Sequence, residues 1–261
     1  MSLTINTNIE AMNAQRNLTG TENALSVSMQ RLSSGLRINS AADDVAGYAI
    51  SEKLKGQIHG LTQAQQNSHD AVSLAQTAQG SLNEVEQMLQ RVRELAVQYN
   101  NGTNSASDKE AVQSEVNQLV SEIGRVGTTT QFNGVDLLTA ASTISFQVGA
   151  NDGEVIAVST ISLGAAVGTI SLASISGIDA AINAVASAAG EFGAVQNRIQ
   201  YTLDNLATYG QNLSAAQSSI ADVNMAEEMT KFTKEQVLQS AGVSVLAQAN
   251  QLPQAVLKLL Q

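Results

Sequence analysis

The sequence predicts a mainly α protein: a long antiparallel helical rod, made of a three-helix bundle plus a coiled-coil pair of the chain ends, with a small β-hairpin region. Three observations lead there. Aromatic residues make up only 3% of the 261 residues and Trp is missing, so the large rings that usually dominate a compact core are scarce. One Pro and few β-branched runs before Thr128 favour long helices joined side by side. Apolar residues also recur at alternating spacings of three and four over long stretches, which places them on one narrow stripe of a helix.

The elements follow in order. An amphipathic stretch opens the chain with Ile5, Ile9, Met12, Leu18, Leu25, Met29 and Leu32. From Leu61 the alternation runs through Ala64, Ser68, Ala71, Ala75, Ala78, Leu82, Val85, Leu89, Val92 and Ala96 to Tyr99, and only Ser68 is polar. That spacing predicts a helix over 61–99, about 60 Å long at 1.5 Å per residue. Leu74, Met88 and Leu95 form a second stripe off the first seam, so this helix meets partners on two sides.

Ser107-Asp108-Lys109-Glu110 matches a capping box, in which Ser and Glu satisfy free amides of a first turn. It predicts a helix over 107–126, striped by Val112, Val116, Leu119, Ile123 and Val126. The stretch ISFQVGANDGEVIAVS alternates Ile144, Phe146 and Val148, turns at Ala150 to Gly153 and resumes with Ile156 and Val158. It reads as a β-hairpin packed by one face within a β region over 128–176, whose Ser- and Gly-rich part from Ser159 to Gly177 fits either strand or loop. The alternation returns from Ile178 to Ile220, a helix over 178–220. A last stripe follows: Leu238, Gly242, Val245, Ala249, Leu252, Val256 and Leu259. Residues 1–40 with 225–261 are expected to form one discontinuous coiled-coil domain, and 41–224 the rod.

Composition excludes several function classes. The formal charge is −10, from 13 basic and 23 acidic residues, which disfavours nucleic acid and anionic membrane as partners because phosphate contacts need a basic face. Without cysteine there is neither a disulfide framework nor a thiolate metal site. The first thirty residues hold no apolar stretch of signal-peptide type, and no run reaches membrane-spanning length. A soluble chain, or one exported without a cleaved apolar leader, is expected.

The terminal stripes are short of partners. Pairing them alone buries less than is needed to offset the entropy of ordering both segments. The abundant source of matching surface is another copy of the chain. Folding of the ends coupled to self-association is therefore expected, and because such contacts are heterologous, repetition gives a ring or an open helical polymer. A closed dimer would hide the stripes too.

At this point the residues match a family. LTINTNIEAMNAQRNL, RLSSGLRINSAADDVAGYAISEKL, QRVRELAVQ, TQFNGVDLL, FQVGANDGE and the closing SSIADVNMAEEMTKFTKEQVLQSAGVSVLAQANQLPQAVLKLL resemble bacterial flagellin, in order and over nearly the whole chain. The resemblance implies a filament whose inner tube is lined by the paired ends, 1–40 and 225–261, with the 41–224 rod outside. It also implies export through the flagellar type III apparatus, contacts with an export chaperone, cap and junction proteins, and ends that are disordered before assembly. Large variable outer regions are often inserted in flagellins where this chain has only Ser159 to Gly177, so it looks like a minimal, two-layer member.

The segment Arg31 to Ser51 is the most site-like. Asp43 and Asp44 are adjacent, so on a helix they point about 100° apart and do not converge on one metal or form an acid and base pair. His59 and His69 are ten residues apart, which is no ligand spacing. No cofactor and no catalytic role are expected. A solvated turn capped by Ser and Asn is the plainer reading. The resemblance favours a connector whose Arg31, Arg37, Asp43 and Asp44 pair between subunits, beside assembly stripes of Ile5, Ile9, Met12, Leu18, Leu25, Leu32, Leu238, Val245, Leu252, Val256 and Leu259. In QRVRELAVQ, Leu89, Val92 and Ala96 lie on the core stripe and Arg91, Leu95 and Gln98 off it. In flagellins this segment resembles the one bound by the vertebrate innate receptor, which would assign Arg91, Leu95, Gln98 and Glu115 to receptor contact. A hook-filament junction protein and a secreted helical-rod adhesin are the alternatives to a filament subunit.

Overall fold

The computed structural model describes residues 7–168 and 170–259, with side chains up to 251. In chain order it contains α1 (Ile9–Ser34), α2 (Val45–Tyr99), α3 (Ala106–Thr129), β1 (Gln131–Phe132), β2 (Val135–Asp136), β3 (Thr143–Gln147), β4 (Val155–Ser159), α4 (Leu163–Val167), α5 (Ile175–Ala221) and α6 (Met225–Leu259). The fold is mainly α with two small antiparallel strand pairs. It divides into two compact units, one made of residues 1–56 with 213–261 and the other of residues 57–212.

The 57–212 unit is built on the long stripe of α2. Leu61, Ala64, Ser68, Ala71, Ala75, Ala78, Leu82, Val85, Leu89, Val92 and Ala96 are all buried. Ser68 meets the requirement of a buried hydroxyl by donating to the Ala64 carbonyl at 2.7 Å. Val92, Leu95 and Ala96 share a cluster with Val112 and Val116 of α3 and Ile178 of α5. Earlier along α2, Ala71 clusters with Ile199 and Leu203 of α5. Arg93 of α2 reaches Asp179 near the start of α5 at 2.6 Å. As α2 runs forward its partners on α5 run backward, so the two helices are antiparallel.

Helix α2 begins at Val45, well before the expected Leu61, because Val45 to Gly60 carries no long apolar stripe for periodicity to register. The capping box of α3 is Ser105 with Asp108, not Ser107 with Glu110. Ser105 accepts from the Asp108 amide while the Asp108 carboxylate takes the Ser105 amide. The hairpin pairs β3 with β4, Phe146 opposite Ile156 and Ile144 opposite Val158, and buries Ile156 and Val158. Its turn approaches α2 at Gly60, where a Cβ would lie 3.0 Å from the Ala150 Cβ. A second, tighter hairpin joins β1 to β2 through Asn133 and Gly134, both at positive φ, as a type I′ turn requires. The Ser- and Gly-rich tract resolves into the short helix α4, with buried Leu163 and Val167, and the first turn of α5.

The other unit contains the chain ends. Gly35, at φ 73, ends α1 by donating its amide to the Arg31 carbonyl, the left-handed cap that glycine adopts without strain. Leu36 then forms an antiparallel bridge with Asp222, reinforced by Arg37 N to Ala221 O at 2.7 Å and Val223 N to Gly35 O at 3.0 Å. Beyond that bridge α1 and α6 pair antiparallel. Ser28 meets Glu228, and Asn8 Nδ2 donates to Ala249 O at 2.9 Å.

Candidate assembly interface

The helix pair mixes polar and apolar residues on its inner face and leaves large apolar residues on its outer face. On α6, the residues turned inward recur at four-three spacing: Glu228, Phe232, Glu235, Gln239, Gly242, Leu246 and Ala249. They face Ala11, Ala14, Leu18, Thr21, Leu25, Ser28 and Leu32 of α1, all at least half-buried. Gly242 sits against Leu18, where a Cβ would lie 3.4 Å from Leu18 Cδ1. Other large apolar side chains point the other way. Ile9 is 60% exposed, Met12 54%, Leu238 45% and Val245 56%, and Val27, Met29, Val237 and Val243 are exposed as well.

Sequence periodicity expected the terminal stripes to meet each other. The structure corrects this for Ile9, Met12, Leu238 and Val245, which lie outside the seam, and keeps Leu18, Leu25 and Leu32 on it. Ile5 lies outside the described residues. Leu252, Val256 and Leu259 belong to α6, but their side chains lie outside the described set.

The Arg31 to Ser51 segment is locally tied. Asp43 accepts from the amides of Asn39 at 3.1 Å and Ser40 at 2.9 Å and from the Ser40 hydroxyl. The Ser40 amide and hydroxyl, the Asn39 amide and the nearby charge of Arg31 hold its carboxyl below the usual carboxylate range. Asp44 accepts from the Gly47 amide at 2.9 Å and starts α2. The guanidinium of Arg37 donates to the Ile220 carbonyl at the end of α5, a favourable site for a cation. The segment is thus a capped turn, with Asp43 and Asp44, not Ser and Asn, supplying the capping oxygens. Among the described residues, none of Arg31, Arg37, Asp43 and Asp44 forms an ion pair within the subunit, and Arg31 Nε is buried without a hydrogen-bond partner.

In the 57–212 unit, Arg91 lies on the surface and bridges Glu115 of α3 at 2.9 Å and Glu94 at 3.1 Å. Gln98 is exposed beside it. Leu95 differs: it is 2% exposed and packed in the cluster of Val92, Val112, Val116, Leu172 and Ile178. The expectation that Leu95 lies off the core is corrected. Its membership of the second stripe was the signal for burial, since α3 and α5 cover that side.

Among the described residues no group of three or more His, Cys, Asp or Glu stands close enough to hold a metal ion, and no helix is long and apolar enough to cross a membrane.

Comparison with known proteins joins these features to a family. Residues 5–143 match the model of the bacterial flagellin N-terminal helical region and residues 175–260 that of the C-terminal helical region. The chain is 47% identical to a flagellin of Halalkalibacterium halodurans over 98% of its own length and 99% of that protein's. It is 43% identical to a Bacillus subtilis flagellin and 40% identical to the flagellar filament 33 kDa core protein of Treponema phagedenis, each over 98% of this chain and 99% of the relative. The crystal structure of Bacillus cereus flagellin superposes with a TM-score of 0.51 at 31% identity, covering 58% of this chain and 94% of that one. With helical end regions matched by both family models and relatives aligned almost end to end, the chain belongs to the bacterial flagellin family.

Proposed function

We infer that this structural protein, a subunit of the extracellular flagellar filament used for swimming, polymerises through the outward faces of α1 and α6. The observation that carries the reading is the outward placement of Ile9, Met12, Leu238 and Val245, which stay exposed on a helix pair whose seam buries Glu228 and Ser28. Exposed apolar stripes of this kind mark a surface completed by a partner, and a second copy of the chain offers the same stripes. Arg31 and Arg37 take acceptors from neighbouring copies beside it, a reading supported by the lack of an ion pair at either guanidinium among the described residues. Replacing Leu238 and Val245 by Ser should abolish elongation from filament seeds, seen by electron microscopy, while the melting of the 57–212 unit stays unchanged. Normal tubes from that variant would overturn the reading. The role is structural and needs no catalysis. An export chaperone, cap and junction proteins are the further partners.

A second reading concerns free subunits. Arg91, Gln98 and Glu115 offer an exposed polar surface to a vertebrate flagellin receptor, and buried Leu95 supports that surface from below. Arg91→Ala should lower receptor signalling with the fold intact; undiminished signalling would remove this assignment.

A further inference from the structure

In an asparagine followed by glycine, the next backbone nitrogen readily attacks the side-chain amide, because glycine has no Cβ to shield that nitrogen. The chain holds two such pairs, Asn101-Gly102 between α2 and α3 and Asn133-Gly134 between β1 and β2. The fold treats them in opposite ways. Asn133 sits at φ 48 in its type I′ turn, the one non-glycine residue at positive φ among those described. Both backbone angles are positive at that turn position, which sets the Asn133 Cβ and the Gly134 nitrogen on opposite sides of the Cα–C bond. Closing an imide ring there would break the hairpin.

Asn101 is held differently. The pair is exposed, and the Thr103 amide donates to Asn101 Oδ1 at 3.3 Å, which makes an Asx turn. The ring that this bond closes runs from Cγ through the Gly102 nitrogen and keeps the two atoms folded toward each other. The same donor faces the oxygen on which charge grows during attack. Among the described residues the Gly102 amide and Asn101 Nδ2 donate no hydrogen bond, so nucleophile and leaving group are both free. The neighbouring side-chain amides are tied. Asn100 Nδ2 donates to the Ala96 and Leu172 carbonyls, each at 2.8 Å, and Asn104 Nδ2 donates to the Gln98 carbonyl at 2.6 Å.

We propose that Asn101 is a site of spontaneous covalent modification, deamidating through a cyclic imide while the fold protects Asn133. Water acting as base takes the Gly102 amide proton, the nitrogen bonds to Asn101 Cγ, and Nδ2 leaves as ammonia with a proton from water. A further water opens the imide at either carbonyl to give aspartate or isoaspartate, so the net reaction consumes one water and releases one ammonia. Either product adds a negative charge to the link between α2 and α3. The isoaspartate form also routes the main chain through Cβ and lengthens that link by one carbon. The change falls beside the bond from the Asn104 amide to the Asn101 carbonyl at 3.3 Å, just before the Ser105 cap of α3.

The test incubates the full folded chain at mildly alkaline pH, digests it and reads conversion at each asparagine by tandem mass spectrometry, with isoaspartate detected by enzymatic methylation. Asn101 should convert at least roughly tenfold faster than Asn100, Asn104 or Asn133. In urea the two Asn-Gly pairs should converge, because Asn133 speeds up once its turn is lost. Gly102 is not at positive φ, and a Cβ added there would meet nothing within 4 Å. Gly102→Ala should therefore keep the unfolding midpoint, while its methyl shields the nitrogen and slows conversion at Asn101 at least roughly tenfold. Equal rates at Asn101 and Asn133 in the folded chain, a faster Asn133, a gap that persists in urea, or no slowing in Gly102→Ala would overturn the assignment.

Discussion

Truncating Leu95 separates core from surface in the segment that carries Arg91 and Gln98. The side chain is 2% exposed and enclosed by Val92, Ala96, Val112, Val116, Leu172 and Ile178, which come from α2, α3, α5 and the turn before α5. Leu95→Ala therefore leaves a cavity that three helices must move to fill. Buried Leu→Ala substitutions cost about 2–5 kcal/mol, the upper part of the range applying where the site cannot collapse. For a unit of 156 residues, each kcal/mol lowers the melting temperature by about 2–4 °C, so a loss near 3 kcal/mol corresponds to about 6–12 °C. The assay is thermal and urea unfolding of the full chain, followed by circular dichroism at 222 nm, with Arg91→Ala as the surface control at under about 1 kcal/mol. Receptor signalling by Leu95→Ala is then measured well below its midpoint. A midpoint within 2 °C of the unaltered chain would refute the burial argument and return Leu95 to the surface.

Removing the α3 cap by Ser105→Ala should destabilise the 57–212 unit by about 1 kcal/mol, against little for Ser107→Ala, because only Ser105 receives the Asp108 amide; equal urea midpoints for the two would contradict the assignment. Gly149→Ala should disorder the β3–β4 turn, since its Cβ would run into the Glu154 side chain, 2.5 Å from that residue's Cβ, and amide exchange in the hairpin would report it. The carboxyls of Asp43 and Glu154 are held below their ordinary values, the first chiefly by the Ser40 amide and the second chiefly by the Asn151 side chain. Their contribution is therefore full above the unfolded carboxylate range and lost as pH falls through the lowered folded values; nuclear magnetic resonance titration should show both turns loosening on acidification, and Asp43→Asn and Glu154→Gln should flatten that dependence.

Legibility followed the source of each contact. The α2 stripe could be read because each of its apolar positions finds a partner within the same unit, so periodicity and burial coincide from Leu61 to Ala96. On α1 and α6 the same counting found real stripes, which the structure divides between the inner seam, with Leu18, Leu25, Leu32, Gly242 and Ala249, and the outward face, with Ile9, Met12, Leu238 and Val245. Period alone identifies a face without telling whether the chain itself or a neighbour covers it, and here Glu228, Glu235 and Gln239 occupy the inner face. Capping failed for a related reason. Ser105 to Asp108 and Ser107 to Glu110 both fit the motif, and the fold of the preceding loop, through the Asn104 side chain bound to the Gln98 carbonyl at 2.6 Å, brings the chain into the helix at Ser105. The turn at Asp43 and Asp44 was legible as capping chemistry because short carboxylates bond their own backbone regardless of distant structure. Whether Arg31 and Arg37 have partners in a neighbouring copy is a property of the polymer, which no single chain encodes locally.

The two units spend the same three-four alternation on opposite ends. In the 57–212 unit small Ala and Ser positions let α2 and its partners approach closely, and Leu82, Val85 and Leu89 then fill the space completely; the result needs nothing outside the chain. In the terminal unit the small positions, Ala11, Ala14 and Gly242, again permit close approach, yet Leu18, Leu25, Leu32, Phe232 and Leu246 share the seam with Glu228, Glu235 and Gln239, whose desolvation offsets part of the apolar burial. A filament subunit gains from that difference. Under the proposed assembly, contacts of the outward Ile9, Met12, Leu238 and Val245 with neighbouring copies supply apolar burial that the seam lacks.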